Sequence, residues 1–306
     1  MLYEKYLRHF TTKLFIKIIM ESILNEIEFL SNPSIKNMSS IKIDGYVKGI
    51  FYPKNQQELI KIYDFLIKNE VKFKIIGNGS NILFSPNAQN LFLISSSKLP
   101  CALKVKEEQL SCSAGCKLSQ AFSYATKHSL GGLEMLAQIP ASVGGAIYMN
   151  AGAFGRSILD VISQIKVYQN GVVKYLKPQQ IQSGYRNGIK DCLILGCTFQ
   201  LCKDSSCDIF SRYSSYSISR GQKQPKGLSL GCTFKNPSSY SAGYLIEQCG
   251  LKGTKIGGAI ISPKHANFII NEGNATYSDV MALIELCEKE VKRKFGIELE
   301  KEIEIF

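Results

Sequence analysis

The most constraining feature of this sequence is a pair of glycine-rich runs, each placed directly after an apolar segment. Gly77-Asn78-Gly79-Ser80-Asn81 follows the strand-like Val71-Lys72-Phe73-Lys74-Ile75-Ile76. Ile139-Pro140-Ala141-Ser142-Val143-Gly144-Gly145-Ala146 is the second run. Glycine reaches backbone conformations closed to other residues and lets a ligand approach the chain closely. Successive N–H groups in such a turn can cradle a phosphate. Each run alone reads more simply as a tight turn or a packing segment. The first lacks the third glycine of the dinucleotide fingerprint, and a loop rather than a helix follows it. Two such turns in one chain point to one large phosphate-bearing ligand held between them. A dinucleotide such as FAD suits.

The rest of the composition sets the context. At ~100–200 residues per domain, 306 residues make two or three domains. Hydrophobic residues are 45% of the chain and charged residues 20%, enough to bury a core and to exclude wholesale disorder. No run approaches the ~18 uninterrupted apolar residues of a membrane span. Lys17 interrupts the apolar run Leu14-Phe15-Ile16, which makes a poor secretory signal. Ten cysteines are too dilute for a disulfide scaffold and fit a reducing cytoplasm. The formal charge is +12, but the lysines are scattered. Their densest cluster, 289–294, alternates with Glu288 and Glu290 as on a solvated helix face. That pattern favours a lysine-rich sequence bias over a nucleic-acid or membrane partner and remains compatible with an anionic small-molecule substrate.

Cys192, Cys197, Cys202 and Cys207 recur every five residues. In a strand that odd offset puts neighbours on opposite faces, and in a helix it turns them by ~500°, so four thiolates do not converge. With three histidines in the chain, zinc and iron–sulfur sites are rejected and no metal is expected. No Ser-His-Asp or Cys-His signature places a nucleophile.

Along the chain, Ile16, Ile19, Ile23, Ile27 and Leu30 predict a helical leader over 1–36, stopped at Asn32-Pro33-Ser34. A first lobe, 37–100, reads strand, helix, strand, loop, strand, with Asn55 and Glu58 resembling a capping box. A second, 101–205, opens with a hairpin turning at Glu107-Glu108. It continues through a helix over 117–128 and carries a strong hairpin signal at Asn170-Gly171. The polar, serine-rich stretch 205–219 marks the main boundary. Beyond it, 206–306 holds a helix over 241–249, strands over 256–261 and 266–271, and a helix over 278–295.

Seven motifs, in this order, resemble one family, the UDP-N-acetylenolpyruvoylglucosamine reductases, also called UDP-N-acetylmuramate dehydrogenases. They are 76–81 (IGNGSN), 132–145 (GLEMLAQIPASVGG), 150–155 (NAGAFG), Tyr185-Arg186, 231–237 (GCTFKNP), 242–247 (AGYLIE) and 264–271 (KHANFIIN). The resemblance covers about residues 38–306. The 46-residue spacing from Arg186 to Cys232 looks like the short form without an extra substrate-covering loop. It implies an α+β fold: a two-lobed FAD-binding module of the vanillyl-alcohol-oxidase (PCMH) type and a C-terminal α+β substrate-binding domain. It implies FAD held noncovalently by Gly77, Asn78, Gly79, Ser80, Asn81, Ile139, Pro140, Ser142, Val143, Gly144, Gly145, Asn150 and Gly152. It also implies a reaction. NADPH reduces the flavin and leaves, and the enolpyruvyl ether of UDP-N-acetylglucosamine takes its place. That ether is reduced to UDP-N-acetylmuramate, a peptidoglycan precursor. The expected setting is a cytoplasmic monomer acting on small molecules.

Within that resemblance, physical chemistry distributes the catalytic roles. Reduction leaves an enolate beside the substrate carboxylate, and its charge needs preorganised donors or cations. Arg186 offers the carboxylate a planar fork. Glu302 matches the family's terminal glutamate and can hydrogen-bond the enolate if protonated. Burial would raise its pKa and Arg186 would lower it, a balance open at this level. Cys232 stands at the proton-donor position, often serine. With a pKa of ~8.5 a free thiol is mostly protonated at neutral pH, and exposure would cost it oxidation to sulfenic acid. Lys223 matches a basic residue near the diphosphate, and Asn236 a substrate contact.

The chain departs from the pattern at Asp44, where a glycine is usual and an acid could crowd a phosphate. Gly188 replaces a serine and Lys301 a proline. Two other readings compete. Many FAD-linked oxidases attach their flavin through a histidine in the first lobe, yet His9, His128 and His265 lie outside the glycine turns. A non-catalytic flavin binder or basic nucleic-acid module finds no recognition motif among the scattered lysines.

Overall fold

The computed structural model describes residues 27–306, so most of the expected helical leader lies outside the described residues. Where that expectation reaches described residues, it fails. Glu28–Ser31 is a strand, β1, paired antiparallel with β2 (Gly49–Tyr52). The cause is a partner: Phe29 stands opposite Phe51 with ring centroids 4.8 Å apart, over a core that also buries Ile27. Cross-strand packing overrides a helical spacing that is only local.

Helix α1 (Gln56–Lys68) begins at the expected cap. Asn55 Oδ1 accepts from Glu58 N at 2.9 Å, and Glu58 accepts in return from Lys54 N at 2.8 Å. Its Leu59, Ile62, Phe65 and Leu66 are buried. Strands β3 (Phe73–Ile76), β4 (Ile82–Leu83) and β5 (Phe92–Ser95) complete this lobe. The sheet runs β1-β2-β5-β3, with β5 parallel to both β2 and β3. The first glycine run therefore leaves the carboxyl end of a parallel strand, where open α/β sheets place their ligands.

The second lobe is a five-stranded antiparallel sheet in the spatial order Val172–Leu176, Ile162–Gln169, Leu193–Gln200, Gln109–Ser113, Leu103–Lys106. The expected hairpin is β6 (Leu103–Lys106) with β7 (Gln109–Ser113), followed by α2 (Leu118–Lys127) and β8 (Leu130–Gly131). Helix α3 (Val143–Met149), β9 (Gly152–Ala153) and β10 (Arg156–Ser157) come next. Strands β11 (Ile162–Gln169) and β12 (Val172–Leu176) turn at Asn170-Gly171, both at positive φ, and β13 (Leu193–Gln200) and β14 (Cys202–Lys203) follow. Cys101 and Cys116 are joined by a disulfide, contrary to the expectation of free thiols throughout. The hairpin base and the start of α2 bring their Cα atoms within 4.5 Å.

The polar stretch after β14 is an 18-residue helix, α4 (Ser206–Lys223). Its apolar contacts are few and lie on one stripe against the second lobe. Ile209 is buried, Tyr213 stacks on Phe122 at 4.8 Å, and Tyr216 meets Phe154 at 4.5 Å. The last part comprises β15 (Leu228–Cys232), α5 (Ala242–Gln248), β16 (Lys255–Ile256), β17 (Ala259–Ile261), β18 (Phe268–Asn271), α6 (Tyr277–Phe295) and β19 (Glu304–Ile305). The single strand expected over 256–261 is a tight hairpin, because Gly257 turns the chain at φ +52°. The sheet order is β15-β18-β17-β16, and α5 and α6 bury Leu245, Ile246, Leu283 and Ile284 in its core. Strand β19 then leaves this sheet and pairs parallel with β4 of the first lobe. Among the described residues no helix is long and apolar enough to cross a membrane.

Candidate active site

The two lobes and the C-terminal part enclose a cavity of about 820 Å³. The two glycine runs meet on its wall. A Cβ at Gly77 would stand 2.2 Å from Ser142 Oγ, and Asn78 Nδ2 donates to Pro140 O at 3.2 Å. Gly79 is left-handed at φ +62°, and a Cβ there would meet Met38 O at 1.7 Å. The second run is the start of α3, where Ser142 Oγ accepts from Gly145 N at 3.2 Å. From behind, Val143 N donates to Cys116 O at 2.7 Å and Gly144 N to Ala114 O at 2.9 Å. Together the left-handed turn and the side-chain-free Gly144-Gly145 surface let a dinucleotide cofactor approach the backbone closely.

Of the cofactor-binding residues named from sequence, Gly77, Asn78, Gly79, Ser80, Asn81, Ile139, Pro140, Ser142, Gly144, Gly145 and Gly152 line the cavity. Val143 and Asn150 do not. The Val143 side chain is buried in the core of the second lobe. Asn150 ends α3 in the left-handed conformation, donates Nδ2 to Gly184 O at 3.0 Å and accepts from Leu159 N at 3.4 Å. It braces the turn that carries Arg186.

That turn is closed by Gly184 N donating to Asn187 O at 2.8 Å and Asn187 N to Gly184 O at 3.1 Å. Arg186 sits in it at φ +54°, a conformation uncommon for a residue with a side chain. Its Nε donates to Glu302 Oε1 at 2.6 Å, and its guanidinium lies 5.0 Å from the Tyr185 ring centre. Gly188 packs against α3 so closely that a Cβ would meet Ile147 O at 1.8 Å. A serine has no room there.

Cys232 ends β15, and the next peptide ties the site together. Thr233 N donates to Asn267 O at 2.8 Å, while Thr233 O accepts from Glu302 N at 2.8 Å. Asn267 is buried and bonds Phe234 twice, accepting from its N at 2.9 Å and donating Nδ2 to its O at 2.8 Å. Asn81 Nδ2 reaches Glu302 O at 3.0 Å, so the first glycine run holds the same residue from the other side. Lys301 bridges to Phe234 by pairing in which Lys235 N and Glu302 N donate. The 301 amide is not among these donors, and a lysine serves where the family has proline. Its side chain reaches Glu288 at 2.5 Å.

Arg186, Cys232 and Glu302 thus face one cavity, and Lys223 lines it too. Burial pushes the Cys232 thiol up to about 12, aided by Glu302 and opposed by Arg186 and Arg220. The thiol is neutral at physiological pH. Burial also raises the Glu302 carboxyl above its ordinary range, against Arg186 and Lys235. The balance left open by the sequence falls to burial.

Arg220 lines the cavity as well and escaped the sequence reading. Its one signal was the spacing of three from Lys223, which puts both on one face of a helix end. Asn236 is exposed and turned away: its Oδ1 accepts from Ala242 N at 3.0 Å, at the start of α5. Asp44 is also outside the cavity wall, where it accepts from Ser34 Oγ at 2.7 Å and from Gly45 N at 2.8 Å. It crowds no phosphate.

The chain is similar to known proteins along nearly its whole length. Residues 223–306 match the C-terminal domain of UDP-N-acetylenolpyruvoylglucosamine reductase, and residues 47–177 match an FAD-binding domain. A UDP-N-acetylenolpyruvoylglucosamine reductase of Caldanaerobacter subterraneus subsp. tengcongensis is 38% identical over 291 residues, 94% of this chain and 96% of that one. Another, of Thermosipho melanesiensis, is 39% identical over 281 residues, covering 90% and 94%. The crystal structure of UDP-N-acetylenolpyruvylglucosamine reductase from Thermus caldophilus has a TM-score of 0.77 at 29% identity, covering 92% of this chain and 98% of that one.

Proposed function

The chain belongs to the UDP-N-acetylenolpyruvoylglucosamine reductase family, a family of flavin oxidoreductases, and from that premise we propose its reaction in full. It reduces the enolpyruvyl group of UDP-N-acetylglucosamine enolpyruvate to UDP-N-acetylmuramate, with NADPH as reductant, in peptidoglycan precursor synthesis. The lobes 37–100 and 101–205 hold FAD between their glycine runs, and 206–306 shapes the substrate side. The proposed setting is a cytoplasmic monomer acting on small molecules.

When bound, FAD carries the reducing equivalent from NADPH to the substrate's double bond. The protein supplies binding, charge and the proton. Arg186 clamps the substrate carboxylate. Glu302, holding its proton above the usual range, hydrogen-bonds the enolate oxygen that develops there. Cys232 delivers the proton to carbon as a neutral thiol, and Arg186 and Arg220 stabilise the thiolate left behind. Lys223 faces the diphosphate. The observation that carries this reading is convergence: Arg186, Cys232 and Glu302 come from three distant parts of the chain into the cavity lined by both glycine runs.

The test is an anaerobic visible spectrum of the purified protein through two additions. NADPH is expected to bleach the flavin band, and UDP-N-acetylglucosamine enolpyruvate to restore it. Bleaching without recovery would keep the flavoprotein and remove the substrate. A protein that takes up no flavin would overturn the reading altogether.

A further inference from the structure

We propose that Lys264 is a positioning residue for substrate binding: it clasps the last turn of α4 from the substrate side and keeps Arg220 and Lys223 aimed into the cavity. This rests on the function proposed above. The motif 264–271 is only partly explained by Asn267, and Lys264 has had no role so far.

The last turn of α4 needs a clasp. The helix is laid on the second lobe by Ile209, Tyr213 and Tyr216, and that apolar stripe stops there. Ile218 is 62% exposed. Beyond it come Ser219, Arg220 and Lys223, all on the cavity wall, interrupted by Gly221. Glycine is the weakest helix former after proline, and Gly221 has open space where a Cβ would stand. The residues that meet the substrate therefore ride on a turn the apolar stripe does not reach, held within itself by Gln224, which donates N to Arg220 O at 2.8 Å and accepts from Arg220 Nε at 2.7 Å.

Lys264 supplies what is missing. Its Nζ donates to Gly221 O at 2.7 Å, satisfying a carbonyl that a helix end leaves without an intrahelical partner. Its charge also stands at the negative pole of the helix. Its own backbone is fixed: Lys264 N and His265 N both donate to Oγ of the fully buried Ser262, at 3.1 and 3.2 Å. Three residues on, Asn267 holds the peptide after Cys232. One loop thus holds both the peptide after the proton donor and the cationic last turn of α4. Lys264 reaches Arg220 and Lys223 only through the backbone of α4.

The test uses the full-length holoenzyme and starts with the wild type. If substrate does not reoxidise its reduced flavin, the functional reading fails before this proposal is reached. Given turnover, Lys264→Met is expected to raise KM for UDP-N-acetylglucosamine enolpyruvate and Kd for UDP-N-acetylmuramate about five-fold, the worth of a cation at a helix C-terminus. The kcat should fall by less than KM rises, since Arg220 also steadies the Cys232 thiolate, and Lys264→Arg should restore all three constants. Combined with Lys223→Ala, the Lys264→Met effect should be less than multiplicative, because both act through one turn. Lys264→Gln, a milder change, carries the same expectation should the methionine variant not fold. Unchanged KM and Kd, or fully multiplicative effects in the double variant, would overturn the proposal.

Discussion

At the scale of single residues, Cys232 carries the most testable chemistry. A proton donor must hold its proton until the carbanion forms, and burial does that for a thiol pushed up to about 12. Replacing it with alanine should slow flavin reoxidation by substrate by ~10²–10⁴ and leave flavin reduction by NADPH nearly intact. Cys232→Ser should keep substantial activity. Stopped-flow absorbance separates the two half-reactions, and equal slowing of both would contradict the role. Glu302 adds a pH dependence. Its folded carboxyl holds the proton above the unfolded value. Protonation therefore favours the fold, a contribution whole below the unfolded pKa and lost as pH rises through the folded one. The substrate half-reaction should fall over that same rise, and Glu302→Gln, unable to ionise, should flatten the decline. A decline of the same shape in the glutamine variant would assign it to another group.

At the scale of elements, the legible parts were those whose causes are local. Helices α1, α5 and α6 lie where the sequence placed them, and each begins at a side-chain cap. Strand β1 and helix α4 did not, because their causes lie elsewhere in the chain: Phe51 for one, Phe122 and Phe154 for the other. The candidate site divides the same way. Its glycine runs were readable as ligand loops, while Val143, Asn150 and Asn236 share their motifs yet point into core, turn and helix cap. A motif names a stretch of chain and not the direction of each side chain. Gly188 shows what that costs a substitution by analogy. Gly188→Ser introduces the family's common residue, but its Cβ would stand 1.8 Å from Ile147 O. It should destabilise the protein by about 2–3 kcal/mol through displacement of α3 or of the Arg186 turn. Urea unfolding reads this directly, and a variant as stable as the wild type would show that the turn has slack.

At the scale of the whole molecule, the site depends on a closure that no single lobe contains. Glu302 is held by backbone contacts from two directions, Thr233 O on the substrate side and Asn81 Nδ2 from the first glycine run. What keeps those sides together is the strand that follows. Glu304 N donates to Asn81 O at 2.9 Å, Phe306 N to Leu83 O at 3.0 Å, and Ser85 N to Phe306 O at 2.6 Å. The Phe306 ring meets Phe84 edge-on at 5.9 Å. Three hydrogen bonds and one aromatic contact are together worth about 2–6 kcal/mol. Ending the chain after Ile303 removes all of them and leaves Arg186, Cys232 and Glu302 in place. The fold should survive with a lower melting temperature, since each sheet keeps its own core. The substrate half-reaction should fall by at least about ten-fold, because a catalytic group misplaced by ~1 Å can cost ~100-fold. Flavin reduction by NADPH should fall less, since it needs no proton from Cys232 and no contact with Glu302. A shortened protein whose flavin is reoxidised by substrate at the wild-type rate would mean that Thr233 and Asn81 place the glutamate without β19, and that the parallel pairing of β19 with β4 serves stability only.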